Sequence, residues 1–157
     1  MNKSTHTRDH MEGKAMRYRV LVVYEEDGER KTESVWATQT GEHYVVASIP
    51  FFARNLAMDD VVEVASDGDT LRLKNTVRPS GNSVVRLVVF DERTIDEVCA
   101  AFTAMGCDWE VSHVKHLIAV HIPKDKDYWE VKRFLDAGEF EKRWVSSVSK
   151  IRTVKVQ

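Results

Sequence analysis

The stretch Arg78-Pro79-Ser80-Gly81-Asn82 constrains this chain more than any other, because it separates two regions with different hydrophobic rhythms. Pro, Ser, Gly and Asn in succession supply turn geometry and nothing to bury, so the stretch marks a boundary. Ahead of it, apolar and polar residues alternate in short runs divided by tight turns. Beyond it, two runs recur at helical spacing. At 157 residues the chain can hold two small units and bury a core without disulfides or metals. The expected organisation is a polar, disordered tail over residues 1–16, a first unit over 17–81 and a second over 82–157.

In the first unit, RYRVLVVYEEDGERKTESVWA reads as two strands around an Asp27-Gly28 turn, with Tyr18, Val20, Val22 and Tyr24 on one face. HYVVASI forms a third strand after Thr40-Gly41-Glu42. Pro50 ends that strand, and FFARNL is expected to make one helical turn. Asp59-Asp60 then lead into an extended VVEV, and Asp67-Gly68 turns into a fifth strand. Five short strands joined by tight turns indicate a small β-barrel or curled sheet. The passage through a Pro-led turn and an acidic pair locally resembles the barrel half of swapped-hairpin and cradle-loop barrel families.

In the second unit the strand SVVRLVVF precedes Thr94 and Glu97, a Thr-x-x-Glu capping box. Ile95, Val98, Cys99, Phe102 and Met105 follow at helical spacing until Gly106 offers a C-cap. DWEVSHVKHLIAV reads as a hairpin closed by Pro123. Asp127 and Glu130 repeat the capping logic before Tyr128, Val131, Phe134 and Leu135, with Gly138 as the stop, and EFEKRW adds a further helical turn. A last strand is expected near Val145 to Val156. Strand, helix, strand, strand, helix, strand is the ferredoxin-like βαββαβ order. The expected fold class is therefore α+β, an N-terminal small β-barrel-like unit plus a C-terminal ferredoxin-like unit.

Composition removes several function classes. With 23 Lys+Arg against 25 Asp+Glu and 43% hydrophobic residues, the chain reads as a soluble globular protein rather than a disordered one. Nucleic-acid binding needs a concentrated basic face. The nearest approach, Lys150, Arg152 and Lys155, alternates with apolar residues and reads as the solvent side of a strand. There is no run of 18 apolar residues and no apolar stretch near the N-terminus, so neither a membrane span nor a signal peptide is expected. Of the two cysteines, Cys99 falls on an apolar helix stripe, which points to reduced thiols and a cytoplasmic location. Nucleophile-elbow, zinc-protease, phosphate-loop and paired Cys-x-x-Cys patterns are all missing, and no cofactor or metal is expected.

Three features remain as candidate sites. A two-residue Val114-Lys115 turn would set His113 and His116 opposite each other as a cross-strand pair, close enough to share a ligand or metal. Val and Lys suit the positive φ angles of such a turn poorly, and a polar hairpin without chemistry is the alternative. Phe51 and Phe52 beside Arg54 have the composition of an interface anchor, with core packing as the competing reading. Glu25, Glu26, Asp27 and Glu29 form the densest acidic cluster, either a surface for a basic partner or a solvated turn. Asp59-Asp60 and Asp67 with Asp69 read first as turn-forming residues.

The segments ESVWA, IPFFARNLAMDDVVEV and GCDWEVSHVKHLIAVHIP give the chain a resemblance, over roughly Tyr18 to Trp144, to a bacterial family known only as a domain of unknown function. The resemblance implies a bacterial protein and carries no catalytic residues. Small bacterial proteins of this kind include immunity proteins paired with toxins, an analogy of size and context. The expected function is non-catalytic protein binding in the cytoplasm, in the manner of an immunity protein that neutralises a cognate toxin. A small-ligand sensor and an enzyme using His113 and His116 are the alternatives. Neither nucleic acid nor membrane is an expected partner, and the sequence does not set an oligomeric state.

Overall fold

A computed structural model of the chain describes residues 16–114 and 116–150. The tail over residues 1–15, Lys115 of the histidine hairpin, and the expected strand end with Arg152 and Lys155 lie outside the described residues. The first unit is a closed five-stranded barrel of β1 (Arg17–Glu26), β2 (Glu29–Thr40), β3 (His43–Val46), β4 (Val61–Asp67) and β5 (Thr70–Arg78). Successive strands pair antiparallel, and a short parallel pairing of β1 with β5 closes the ring. Asp27 and Gly28 both take positive φ, 54° and 80°. That is the geometry a two-residue hairpin turn requires, and it fixes the β1–β2 register from Glu26↔Glu29 to Arg17↔Thr38. Val20, Val22, Val35, Ala37, Val46 and Val62 fill the barrel by strand alternation, joined by Ala53 and Leu56 from the β3–β4 segment.

The second unit is a four-stranded antiparallel sheet in the order β7-β8-β6-β9. Its strands are β6 (Ser83–Val89), β7 (Asp108–Val111), β8 (Leu117–Ile122) and β9 (Trp144–Lys150). Two helices, α1 (Ile95–Ala104) and α2 (Tyr128–Phe140), cover one face. By strand alternation Val85, Leu87 and Val89 of β6 and Ile118, Val120 and Ile122 of β8 meet Phe102 and Leu135 of the helices. Chain order in this half follows the expectation, with local exceptions. The Thr94 capping box does not form. Asp91 instead caps a single 3-10 turn, Thr94 turns its hydroxyl to the Asp91 carbonyl, and Glu97 reaches Arg143 at 3.2 Å. Gly138 does not stop α2. It lies inside the helix because the Trp144 indole packs directly over it, in space that a Cβ would occupy.

The other face of the sheet is shared between the barrel and open surface. Ile49, Ala57 and Met58, from the segment joining β3 to β4, pack on Val84 and Ala119 and join the two units. Residues 47–60 contain neither helix nor strand, so the helical turn expected in FFARNL is absent. Five of the segment's backbone N–H groups go to carboxylates instead, while Asn55 and Asp59 donate to the Ser149 and Val46 carbonyls. Phe51 and Phe52 donate to Glu33 of β2 at 3.0 and 2.8 Å, and Ala53 donates to the same carboxylate at 2.6 Å. Ile49 donates to buried Glu110 of β7 at 3.2 Å. Asp60 is fully buried and accepts from Ala57 at 3.0 Å, Ser80 at 2.8 Å and the Lys150 ammonium at 2.8 Å.

Removing one member of a buried ion pair leaves the other charge unpaired and costs about 3–5 kcal/mol. Asp60→Ala strands Lys150 in that way, together with two N–H groups, and should lower the urea midpoint sharply without changing the slope. Asp67→Ala, which removes an exposed partner of Arg72, should leave the midpoint nearly unmoved.

Candidate functional site

Half of the sheet face that the barrel leaves open is apolar. Val88 and Val145 are 44% and 56% exposed, beside Val114 at 44%. Their strand positions account for this: Val88 and Val145 are register partners on β6 and β9, on the side away from the helices. Leu117 of β8 forms the floor, and the tip of the first hairpin forms the opposite wall through Glu26. Together with Phe52 and Arg86 they enclose a groove of about 330 Å³.

Arg86 is the fixed point of this groove. Its Nη1 donates to the Phe51 carbonyl at 2.8 Å and its Nε to Ser147 at 3.3 Å. Its guanidinium lies 5.8 Å from the Phe52 ring centre, and Phe52 in turn stacks on Tyr24 at 5.7 Å, nearly coplanar. These contacts form a short ladder of Tyr24, Phe52 and Arg86 from barrel to sheet. Phe51 takes the other direction and packs on the cluster joining the two units. Burial first, then the Glu26 and Glu33 carboxylates, push the Tyr24 phenol above its usual range. Glu26 places one carboxylate on the groove wall, across from the Arg86 guanidinium.

The structure thus brings Glu26 and Phe52, two of the candidate residues, to one groove. Glu25, Asp27 and Glu29 stand exposed at the hairpin tip beside it, and the acidic tip makes no ion pair among the described residues. Arg54 lies apart, exposed at a second concavity on the barrel. His113 and His116 are not brought to facing strand positions. Ser112 donates to Leu117 at 2.9 Å, so the turn is a four-residue loop rather than the two-residue turn expected from Val114-Lys115. His113 is exposed, whereas His116 takes φ of 67° and folds back on the end of β6. There its Nδ1 lies 2.6 Å from the Val89 carbonyl, and its own carbonyl accepts from Val89 at 2.9 Å. Among the described residues, no three His, Cys, Asp or Glu side chains gather as a metal site. Asp60 is spent on backbone and Lys150, and Asp59 lies 3.4 Å from the Asn82 amide.

Arg86, Val88 and Val145 were not singled out in the sequence. One signal was available for the first: a lone cation in SVVRLVVF must find polar partners on one face of the sheet. The valines gave none, since alternation shows which side they take and not what covers that side.

With the geometry in place, comparison with other proteins is informative at the level of family and fold. The sequence matches the family described as a domain of unknown function, DUF4265, over residues 33–146, well over half the chain. The chain belongs to the DUF4265 family. The match opens at Glu33, so this DUF4265 chain carries its loop-holding carboxylates and Arg86 inside the family region and its acidic hairpin tip outside it. No curated protein matches the sequence. A hypothetical protein from Neisseria gonorrhoeae, known from a crystal structure, superimposes with a TM-score of 0.75. The alignment spans 88% of this chain and 98% of that one, at 20% identity, and shows a shared fold.

Both cysteines of this DUF4265 protein are free and buried, and burial pushes each thiol up to about 11. At pH 8 such a group is thiolate roughly one part in a thousand, against about a tenth or more for an exposed cysteine. Modification by a disulfide reagent at pH 8 should therefore be at least about 100-fold slower for the native chain than in guanidinium. Equal rates would mean that one thiol is open and ionised.

Proposed function

We propose that this protein works by binding another protein, without covalent chemistry, and that the groove between the acidic hairpin and the open half of the sheet is where the partner sits. The observation that carries the reading is the exposed Val88, Val114 and Val145 surface, set around a guanidinium and a phenyl ring already locked in place. An apolar centre with a fixed Arg and an aromatic, rimmed by charge, is what binding hot spots are built from. Because Arg86 and Phe52 are held before the partner arrives, little side-chain entropy remains to be lost on docking. The acidic tip favours a partner with a basic rim and speeds encounter at low salt.

An immunity protein covering the active site of a basic toxin in the cytoplasm fits this surface, and it is the form of the proposal we favour. The second unit is read as ferredoxin-like, supported by its strand order β7-β8-β6-β9 with both helices on one face. Among the described residues no helix is long and apolar enough to cross a membrane.

The test is co-purification from the native cell by tagged protein, wild type against a Val88→Glu, Val145→Lys double variant, whose opposite charges can pair across the strands. Both positions are open, so the variant should fold with a melting temperature within a few degrees of wild type. A partner held at the groove should lose at least about 2 kcal/mol of binding, roughly 30-fold in Kd. An unchanged Kd for the captured partner would remove the groove reading.

A further inference from the structure

The barrel closes through a short ladder. Pairing of β1 with β5 consists of Val20↔Leu71 and Leu21↔Arg72 and stops there. Were the register to continue, residues 22–25 would pair with residues 73–76. Instead the two edges part around a cleft of about 360 Å³, with residues 53–56 along its floor. The cause is in β5. Its pairing with β4 slips twice, between Val61 and Val62 and between Glu63 and Val64, so that Val77 and Lys74 are extra residues. Bulges bend the strand that carries them, and here they swing β5 away from β1.

The outer ladders of both strands are fully used, β1 by β2 and β5 by β4. Beyond the Leu21↔Arg72 pair, residues 23–25 and 74–76 have no register partner across the cleft among the described residues. Two strand edges therefore look into one cleft whose apolar lining includes Val22, Val23, Ala53, Leu56 and Leu73. A free edge is a template for another strand. Its short length, about 3.3 Å per residue over three residues, suits an extended segment and gives a helix no pairing.

We propose that this seam receives an extended segment of the protein partner, which pairs by main-chain hydrogen bonds with β1, β5 or both. This deepens the protein-binding reading above and rests on it. The seam and the groove lie on opposite sides of one strip of chain: Glu25 lines the seam and Glu26 the groove, as Ala53 does the seam and Phe52 the groove. One partner can span the strip and use both concavities. Its chemistry follows from the charges. Arg54 faces Glu25 across the seam itself, and at the hairpin end beyond it Glu25, Glu26, Asp27 and Glu29 outnumber Arg30 and Lys31, so the favoured segment alternates apolar and basic residues. Apolar side chains would lie on Val22, Leu56 and Leu73, and basic ones would point out towards the hairpin tip.

The test uses the full chain, labelled with 15N, and a blocked hexapeptide of alternating valine and lysine. Amide shifts should concentrate at residues 23–25 and 74–76. The same peptide N-methylated at alternate residues, on the edge that would pair, should bind at least tenfold more weakly, and a valine-glutamate peptide should be weaker again. Equal binding of the N-methylated peptide, or shifts confined to the hairpin tip, would reduce the effect to charge attraction and overturn the proposal. Nuclear Overhauser contacts between residues 151–157 and the seam in the free chain would overturn it too, by assigning the seam to the protein's own segment. None of these outcomes depends on the groove, which the Val88 and Val145 variant tests separately.

Discussion

Residues 47–60 pass between two cores without helix or strand, and three carboxylates make that passage possible. A buried backbone N–H without a partner costs about 1–3 kcal/mol, so a loop sealed between units has to find acceptors. Glu33 of β2 and Glu110 of β7 supply them from outside the loop, and Asp60 supplies one from the loop's own last residue. Glu33 alone receives three successive N–H groups. A carboxylate suits this role because one group offers about four lone-pair sites, and hydrogen bonds to a charged acceptor are worth roughly twice those to a neutral one. Asn82 continues the arrangement from the linker, donating to the Met58 carbonyl at 2.9 Å and accepting from Lys124 at 2.8 Å.

The proposed binding surface follows from this constraint. Once the backbone of Phe51 and Phe52 is fixed by Glu33, the Phe51 carbonyl is placed to accept from Arg86, and Phe52 is placed between Tyr24 and the guanidinium. The two phenylalanines are driven apart, one into the joint between the units and one into the groove. The same turn carries residues 53–56 to the open seam of the barrel. Groove and seam are thus two sides of a single anchored loop. The two thiols lie elsewhere, buried in the core of the second unit, and His116 sets its Nδ1 against the Val89 carbonyl.

Much of the architecture was legible because local rules and global fold agree. Asp27-Gly28 dictated the first hairpin, the spacing of Val98, Cys99 and Phe102 dictated α1, and the Pro79 to Asn82 stretch divides barrel from sheet. Local rules failed where a distant side chain competes for the same backbone. FFARNL has helical propensity, but Glu33, about twenty residues earlier in the chain, offers its N–H groups a better acceptor. Gly138 has the look of a helix stop, yet Trp144 from the next strand needs its missing Cβ. Of the candidate site, the acidic tip and Phe52 were readable from composition. Arg86, Val88 and Val145 come together only through sheet order, which no local pattern encodes.

Native-state amide exchange tests the central claim most directly. If the carboxylates hold residues 47–60 as firmly as the cores, the amides of Ile49, Phe51, Phe52, Ala53 and Ala57 should exchange with free energies close to those of β6 and β8, opening only when the chain unfolds as a whole. Exchange of these five amides at the rate of the exposed Asp67-Gly68 turn would contradict the account, since a loop that opens on its own cannot hold Phe52 and Arg86 ready for a partner.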